Sequence, residues 1–404
     1  MNTSTKKGKG LGEYMPLAFA AGIGSMLGSG IIVGLSATIV VWQEGLGLDT
    51  TQVGLLSGIL TFAIAFGSLF GGRLADKIGR VLFFNWINLF YAIGAAICVF
   101  APNFTVLLIG LIIAGLASGA DLPVSMTIVS HDAPDEATAA QLVSTTQVFW
   151  QVGVFISFIC AFLVSAMQGA TGGRVVFAIL AVFAVIAWLW RLLSPTFRRF
   201  HEAADVRDAA RPAVVGNGKV SVTKVLFGAD KKVLLTYFLA IVIFYVGWNL
   251  LANTWGQFQT YMFSKAGAAQ SLATGLGIIL NFVTLVLNIV FASIAGGKYR
   301  NKAFFAGIVI SLIAMAAMAM GGANLWVIVG ATAFMNLGSP LAGEALYKVW
   351  TQESFPIEIR ASIQGFINGF SRLCCGLFAL ITPALVLPET IQTTMWCFFG
   401  IVII

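Results

Sequence analysis

Three ionisable side chains stand inside runs of apolar residues: Asp121 in GLASGADLPVS, Glu344 in LGSPLAGEALYKVW and Arg372 in NGFSRLCC. A charge at such a place costs roughly 2.5–3.5 kcal/mol on membrane-insertion scales, so each is expected to face a protein or water interior and not lipid. A carboxyl disfavoured as an anion by partial burial takes up and releases a proton near neutral pH. That chemistry fits Asp121 first and Glu344 second; the alternative is a structural ion pair with Arg372. Arg372 lies one turn after Asn368. It either holds Glu344 or clamps an anionic solute.

Amides and aromatics lie at similar depth in their runs. Gln147 and Gln151 form an i, i+4 pair; Trp248, Asn249, Asn253 and Trp255 share one run; Asn281, Asn336 and Tyr347 follow in others. Amides donate and accept, which suits a hydroxyl-rich solute, and indole faces stack on sugar C–H surfaces. Hydrogen bonds between helices would use the same groups. No nucleophile–base set appears, so no enzyme is expected. The five cysteines sit in apolar runs without metal spacing and read as packing. His131 and His201 are isolated in gaps. Neither a metal nor a cofactor is expected. Glycines in GIGSMLGSGIIVG read as close helix packing, since no strand or phosphate-loop sequence accompanies them.

The elements that position these groups must be membrane helices. The 404 residues are 59% hydrophobic and 10% charged, with mean hydropathy +0.93, too few charges to cover a soluble surface. Apolar runs of bilayer-spanning length recur, without the alternation of barrel strands. Twelve spans are expected: 15–42, 53–72, 81–101, 104–129, 138–166, 173–193, 233–255, 270–295, 303–321, 324–350, 361–387 and 389–404. The last is short, and the natural C-terminus is expected to lie beyond Ile404. The basic start MNTSTKKGKG shows no signal-peptide pattern. With that start inside, twenty of the 23 Lys and Arg fall in inside gaps, nine of them counted from Arg191 to Lys232. Both termini are therefore expected in the cytoplasm of a multi-pass cell-membrane protein. The net charge of +7 follows from this bias and needs no nucleic-acid partner.

A polar gap at 194–232 divides the spans six and six, with a short amphipathic helix expected over FRRFHEAADVRDAA. The expected bodies are residues 1–193, a linker 194–232, and 233–404. FGGRLADKIGRVLFF after span 2 is answered by AGGKYRNKAFF after span 8. Pro134 lies 50 residues beyond Phe84, and Pro356 lies 51 beyond Phe305. A duplicated six-span unit follows, with a solute site expected between the halves.

GGRLADKIGR (71–80) then resembles the loop 2–3 signature of the major facilitator superfamily, Gly-x-Leu-Ala-Asp-x-x-Gly-Arg, carried by Gly72, Leu74, Ala75, Asp76, Gly79 and Arg80. Glu353, Pro356 and Arg360 resemble the Glu-x-x-Pro-x-x-x-Arg element after span 10 of the sugar porters, and SPTFRRF is similar to the opening of their linker. The resemblance implies an all-α membrane protein of twelve transmembrane helices in two pseudo-symmetric six-helix bundles. It implies alternating-access transport of a sugar, polyol or similar polar solute, with proton symport, by a monomer in the bilayer. Gly72, Asp76, Gly79 and Arg80, with Glu353 and Arg360, would form gate latches; the amides, Trp248, Tyr347 and Arg372 would meet solute. The chain departs from the sugar porters in five ways, the first being that Trp248-Asn249 stands nearest to the place of their Gln-Gln pair in span 7. His131 replaces a Glu, an Arg-Gly pair is missing, span 1 has no acid and span 4 has no Arg. An organic-anion porter and an uncoupled facilitator stay open as alternatives.

Overall fold

Polar caps set several helix starts. Asp49 accepts from the Gln52 N–H while Gln52 reaches back to the Asp49 N–H, a reciprocal box opening the second helix. Asn103 and Asn324 cap two others through their side-chain oxygens. The computed structural model describes residues 13–134, 136–210, 231–294, 299–355 and 357–403. Its helices are α1 (Met15–Leu46), α2 (Thr50–Ile78), α3 (Arg80–Val99), α4 (Phe104–Asp132), α5 (Glu136–Leu163), α6 (Thr171–Leu193), α7 (Pro195–Ala210), α8 (Lys231–Lys265), α9 (Gln270–Ile294), α10 (Arg300–Gly321), α11 (Leu325–Leu341), α12 (Glu344–Ser354), α13 (Ile357–Leu385) and α14 (Ile391–Ile403). No strand occurs among the described residues. Nine helical stretches there are long and apolar enough to cross a bilayer, and Val148–Leu163, Leu325–Leu341 and Ile391–Ile403 are shorter apolar ones.

Span 10 and Arg191 depart from expectation. Span 10 is not one helix: it breaks between α11 and α12 at Ala342 and Gly343. Pro340 has no N–H to continue the ladder, and Gly343 adopts φ −139°, ψ −140°. Arg191 is not a linker cation. It stands in the last turn of α6 with its side chain fully buried, which leaves nineteen of the 23 cations on the expected inner side.

In the first half, α4 is the central packing partner. Its face toward α2 is made of glycine: a Cβ at Gly119 would lie 2.1 Å from the Ile64 carbonyl, and one at Gly67 would lie 2.3 Å from that of Leu116. Pro123 leaves the Gly119 carbonyl without its helical donor, and Ser68 Oγ donates to it instead (2.9 Å). One core joins α1–α4, α6 and the first turns of α7. A second core gathers α8–α11, α13 and α14 around Trp255, Phe258 and Met315, and takes in Ile39, Val40 and Val53 from the first half.

The halves meet along a narrow seam. A Cβ at Gly54 of α2 would lie 2.1 Å from the Leu380 carbonyl of α13, and one at Gly58 would lie 2.4 Å from the Leu380 side chain. Gln257 of α8 donates to Thr61 Oγ1 (2.8 Å), and Gln270 of α9 donates to the Ala37 carbonyl of α1. These contacts gather toward the end of the molecule that carries the α1–α2 and α8–α9 turns. The amphipathic helix expected in the linker forms as α7, docked under the first half: Phe197 is buried against Trp190, and Phe200 stacks on Tyr14. His201, expected to be isolated, is buried with its Nδ1 against the Asp132 carboxyl at the end of α4.

Candidate functional site

The sequence points to Asp121, and the structure supplies its partner from a helix away. Arg191 Nη1 donates to Asp121 Oδ1 (2.7 Å) and to the Phe84 carbonyl (3.1 Å). Its Nη2 donates to Asp121 Oδ2 (3.1 Å), the Ala20 carbonyl (2.8 Å) and Ser125 Oγ (3.3 Å). Ser125 Oγ also donates to Asp121 Oδ1 (2.8 Å). The guanidinium carbon sits 3.9 Å from the centre of the Phe84 ring. This is a forked, charge-assisted pair tying α4 to α6, with α1 and α3 supplying carbonyls. Gly24 makes room for it, because a Cβ there would fall 1.9 Å from Asp121 Oδ2. The alternative pairing of Asp121 with Arg372 is not the one formed.

Arg372 belongs to a separate polar group in the second half. Its Nε donates to Asn368 Oδ1, one turn earlier on α13 (3.2 Å). Nearby, Tyr245 of α8 stacks on Tyr347 of α12 with ring centres 3.7 Å apart. The break in span 10 places Glu344 in the first turn of α12, where the helix dipole favours a carboxylate. Trp248 Nε1 donates to Ser339 Oγ (3.2 Å). Gly343 keeps the broken segment against that indole: a Cβ there would lie 2.5 Å from Trp248 Nε1.

Several amides are engaged between or within helices. Asn249 Nδ2 donates to Ser371 Oγ (2.8 Å), Asn253 Oδ1 accepts from Gln257 (2.7 Å), and Asn281 donates to the Gly277 carbonyl of its own helix (2.8 Å). Gln151 and Asn336 are half-buried, and Tyr347 is fully buried. Sequence reasoning missed Gln257, Thr61, Ser339 and Ser371. The i, i+4 spacing of Asn253 and Gln257 was a usable signal for the first.

Among the gate residues, Gly79 turns the chain between α2 and α3 at φ +102°, a backbone open to glycine at little cost. Gly72 has open space where a Cβ would go. Arg80 opens α3 and is exposed. Glu353 forms a forked pair with Arg300 at the start of α10 (2.7 and 3.2 Å). Pro356 and the side chains of Asp76, Gln147, Arg360 and His131 lie outside the described residues.

Apolar helices in two halves, meeting along a glycine seam, hold a buried Asp121–Arg191 pair in one half and the Arg372, Trp248 and amide group in the other. The chain belongs to the major facilitator superfamily, whose family model matches residues 17–379. It is 30% identical over 398 residues to the minor myo-inositol transporter IolF of Bacillus subtilis, covering 95% of this chain and 87% of that protein. It is 33% identical over 154 residues to the niacin transporter NiaP of Acinetobacter baylyi, covering 37% of this chain and 34% of that one. The crystal structure of a D-xylose–proton symporter superimposes with a TM-score of 0.78 at 14% identity, over 96% of this chain and 95% of the other. That likeness is one of fold.

Proposed function

We propose that the protein carries a sugar, polyol or similar small polar solute across the cell membrane by alternating access, coupled to proton entry. The observation that carries the substrate class is the likeness to a myo-inositol transporter over 95% of the chain. Support for alternating access comes from the seam, where the halves touch backbone to backbone near one end. In this reading residues 1–193 and 233–404 are the two moving bodies and 194–232 connects them. Gln151, Trp248, Asn249, Asn253, Asn281, Asn336, Tyr347, Asn368 and Arg372, with Gln147, are the solute-facing set, several exchanging a helix partner for a hydroxyl during the cycle. The Lys and Arg bias supports cytoplasmic termini. A Cys introduced at Asp205 is then expected to react in intact cells only with membrane-permeant thiol reagents. Labelling by an impermeant reagent would reverse the orientation.

Asp121 is the proton site in this reading. In the present state both Asp121 oxygens accept from Arg191, so coupling requires the fork to open in the opposite state. Asp121→Asn keeps the shape, and Arg191 retains the Ala20 and Phe84 carbonyls and Ser125 as acceptors. Proteoliposome uptake of labelled inositol, xylose and other polyols, with and without a pH gradient, tests the scheme. The wild type is expected to accumulate solute under the gradient. The variant is expected to lose accumulation and keep solute exchange. If it still concentrates solute, Asp121 is not the proton site. If the wild type ignores the gradient, the coupling proposal fails and the facilitator reading takes its place. Arg372 and the likeness to a niacin transporter favour a second reading, an organic-anion porter. Uptake of a carboxylate in preference to every polyol would select it.

A further inference from the structure

A large apolar cavity opens on the first half. It is a groove of about 720 Å³ between α2, α3 and α4. Its walls are Phe66, Phe70 and Leu74 on one side and Trp86 and Phe90 on the other, with Leu116 of α4 on the floor. No charged side chain lines it among the described residues, so it offers a sugar or polyol almost no hydrogen bonds. The fold explains why it stays open. Glycines bring α2 onto one side of α4 at Gly67, and bring α3 onto another at Gly94, where a Cβ would lie 2.4 Å from the Ala114 nitrogen. With both helices leaning on α4, a wedge is left between them. The wall is stiffened by Phe66 and Phe70, which stack with ring centres 6.1 Å apart.

Length and charge say what fits. From Phe66 to Ile78 the α2 wall runs about 18 Å at the helical rise. One leaflet of a bilayer's hydrocarbon is about 15 Å deep. The groove ends beside the α2–α3 corner, where the exposed Lys77 and Arg80 flank Gly79. We propose that this groove is a binding site for one anionic phospholipid, with an acyl chain between α2 and α3 and the phosphate at Lys77. The hydrocarbon depth matches one chain, and the cations sit at headgroup height, where each attracts an anionic lipid surface.

The test uses the full chain in proteoliposomes containing trace phosphatidylglycerol with a diazirine on its acyl chain. A parallel sample carries phosphatidylcholine with the same acyl chain. After illumination, peptide mapping locates the adducts. They are expected to concentrate on residues 66–90 and 113–120, with the glycerol lipid labelling several-fold more than the choline lipid. Lys77→Gln, an exposed change that leaves the groove intact, is expected to lower that labelling about fivefold. Leu116→Trp, which fills the floor, is expected to lower labelling by both lipids. Adducts spread evenly around the lipid-facing surface, equal labelling by the two lipids, or indifference to Lys77→Gln would each overturn the proposal. Chain-to-chain cross-links through α2 and α3 would overturn it too, by assigning the groove to a second copy.

Discussion

Arg191→Met is expected to destabilise the protein by about 3–5 kcal/mol, the cost of leaving one member of a buried ion pair without the other. The substitution removes five hydrogen bonds to four residues, among them both donors from Arg191 to the Asp121 carboxylate. Ser125 would remain as a donor to Asp121, too little for a buried anion. The loss is read as a large fall in melting temperature of the purified protein and in its folded yield. Asp121→Leu combined with Arg191→Met should recover much of that stability, since paired replacement by apolar groups leaves no buried charge alone and costs only the two bonds of Ser125. A single variant melting with the wild type would show that the fork carries no structural weight. Failure of the double variant to recover would move the cost from charge to packing.

The second large effect concerns the seam. Gly54→Val is expected to cut transport at least tenfold while leaving each half folded. Its new methyls would meet the Leu380 backbone, 2.1 Å from where Cβ must stand. A backbone atom cannot step aside as a side-chain tip can, so the halves must part or the helices must shift. Thiol labelling separates these outcomes. Thr61 is buried and accepts from Gln257. The thiol of a Thr61→Cys variant should become reactive in the Gly54→Val background if the seam is wedged open. Normal uptake together with an unreactive thiol at that position would mean that the seam tolerates a side chain.

The twelve apolar runs were plain in the sequence because composition alone marks them, and the repeat and the loop signature then named the fold. The charge at Asp121 was equally plain, since an acid within an apolar run stands out. Its partner was not. Arg191 stands two residues from the end of its run, where a cation ordinarily marks the membrane boundary, and only the packing of α6 against α1, α3 and α4 draws it inward. The break in span 10 was written in Pro340 and Gly343, but helices often pass through such residues, as α4 does through Pro123. His201 read as isolated in its gap because nothing local announces Asp132, two helices earlier in the chain. The contact of Gln257 with Thr61 joins residues 196 apart, a distance no pattern along the chain can bridge.

The docking of α7 has a mechanical consequence. Anchored by Phe197, Phe200 and His201, its sixteen residues ride with the first half as part of that body. The covalent tether between the halves is then the twenty residues from 211 to 230. Load on the C-terminal end of α7 is handed to the start of α1 through Phe200 and Tyr14, and to the end of α4 through His201 and Asp132, so the helix works as a handle on that body.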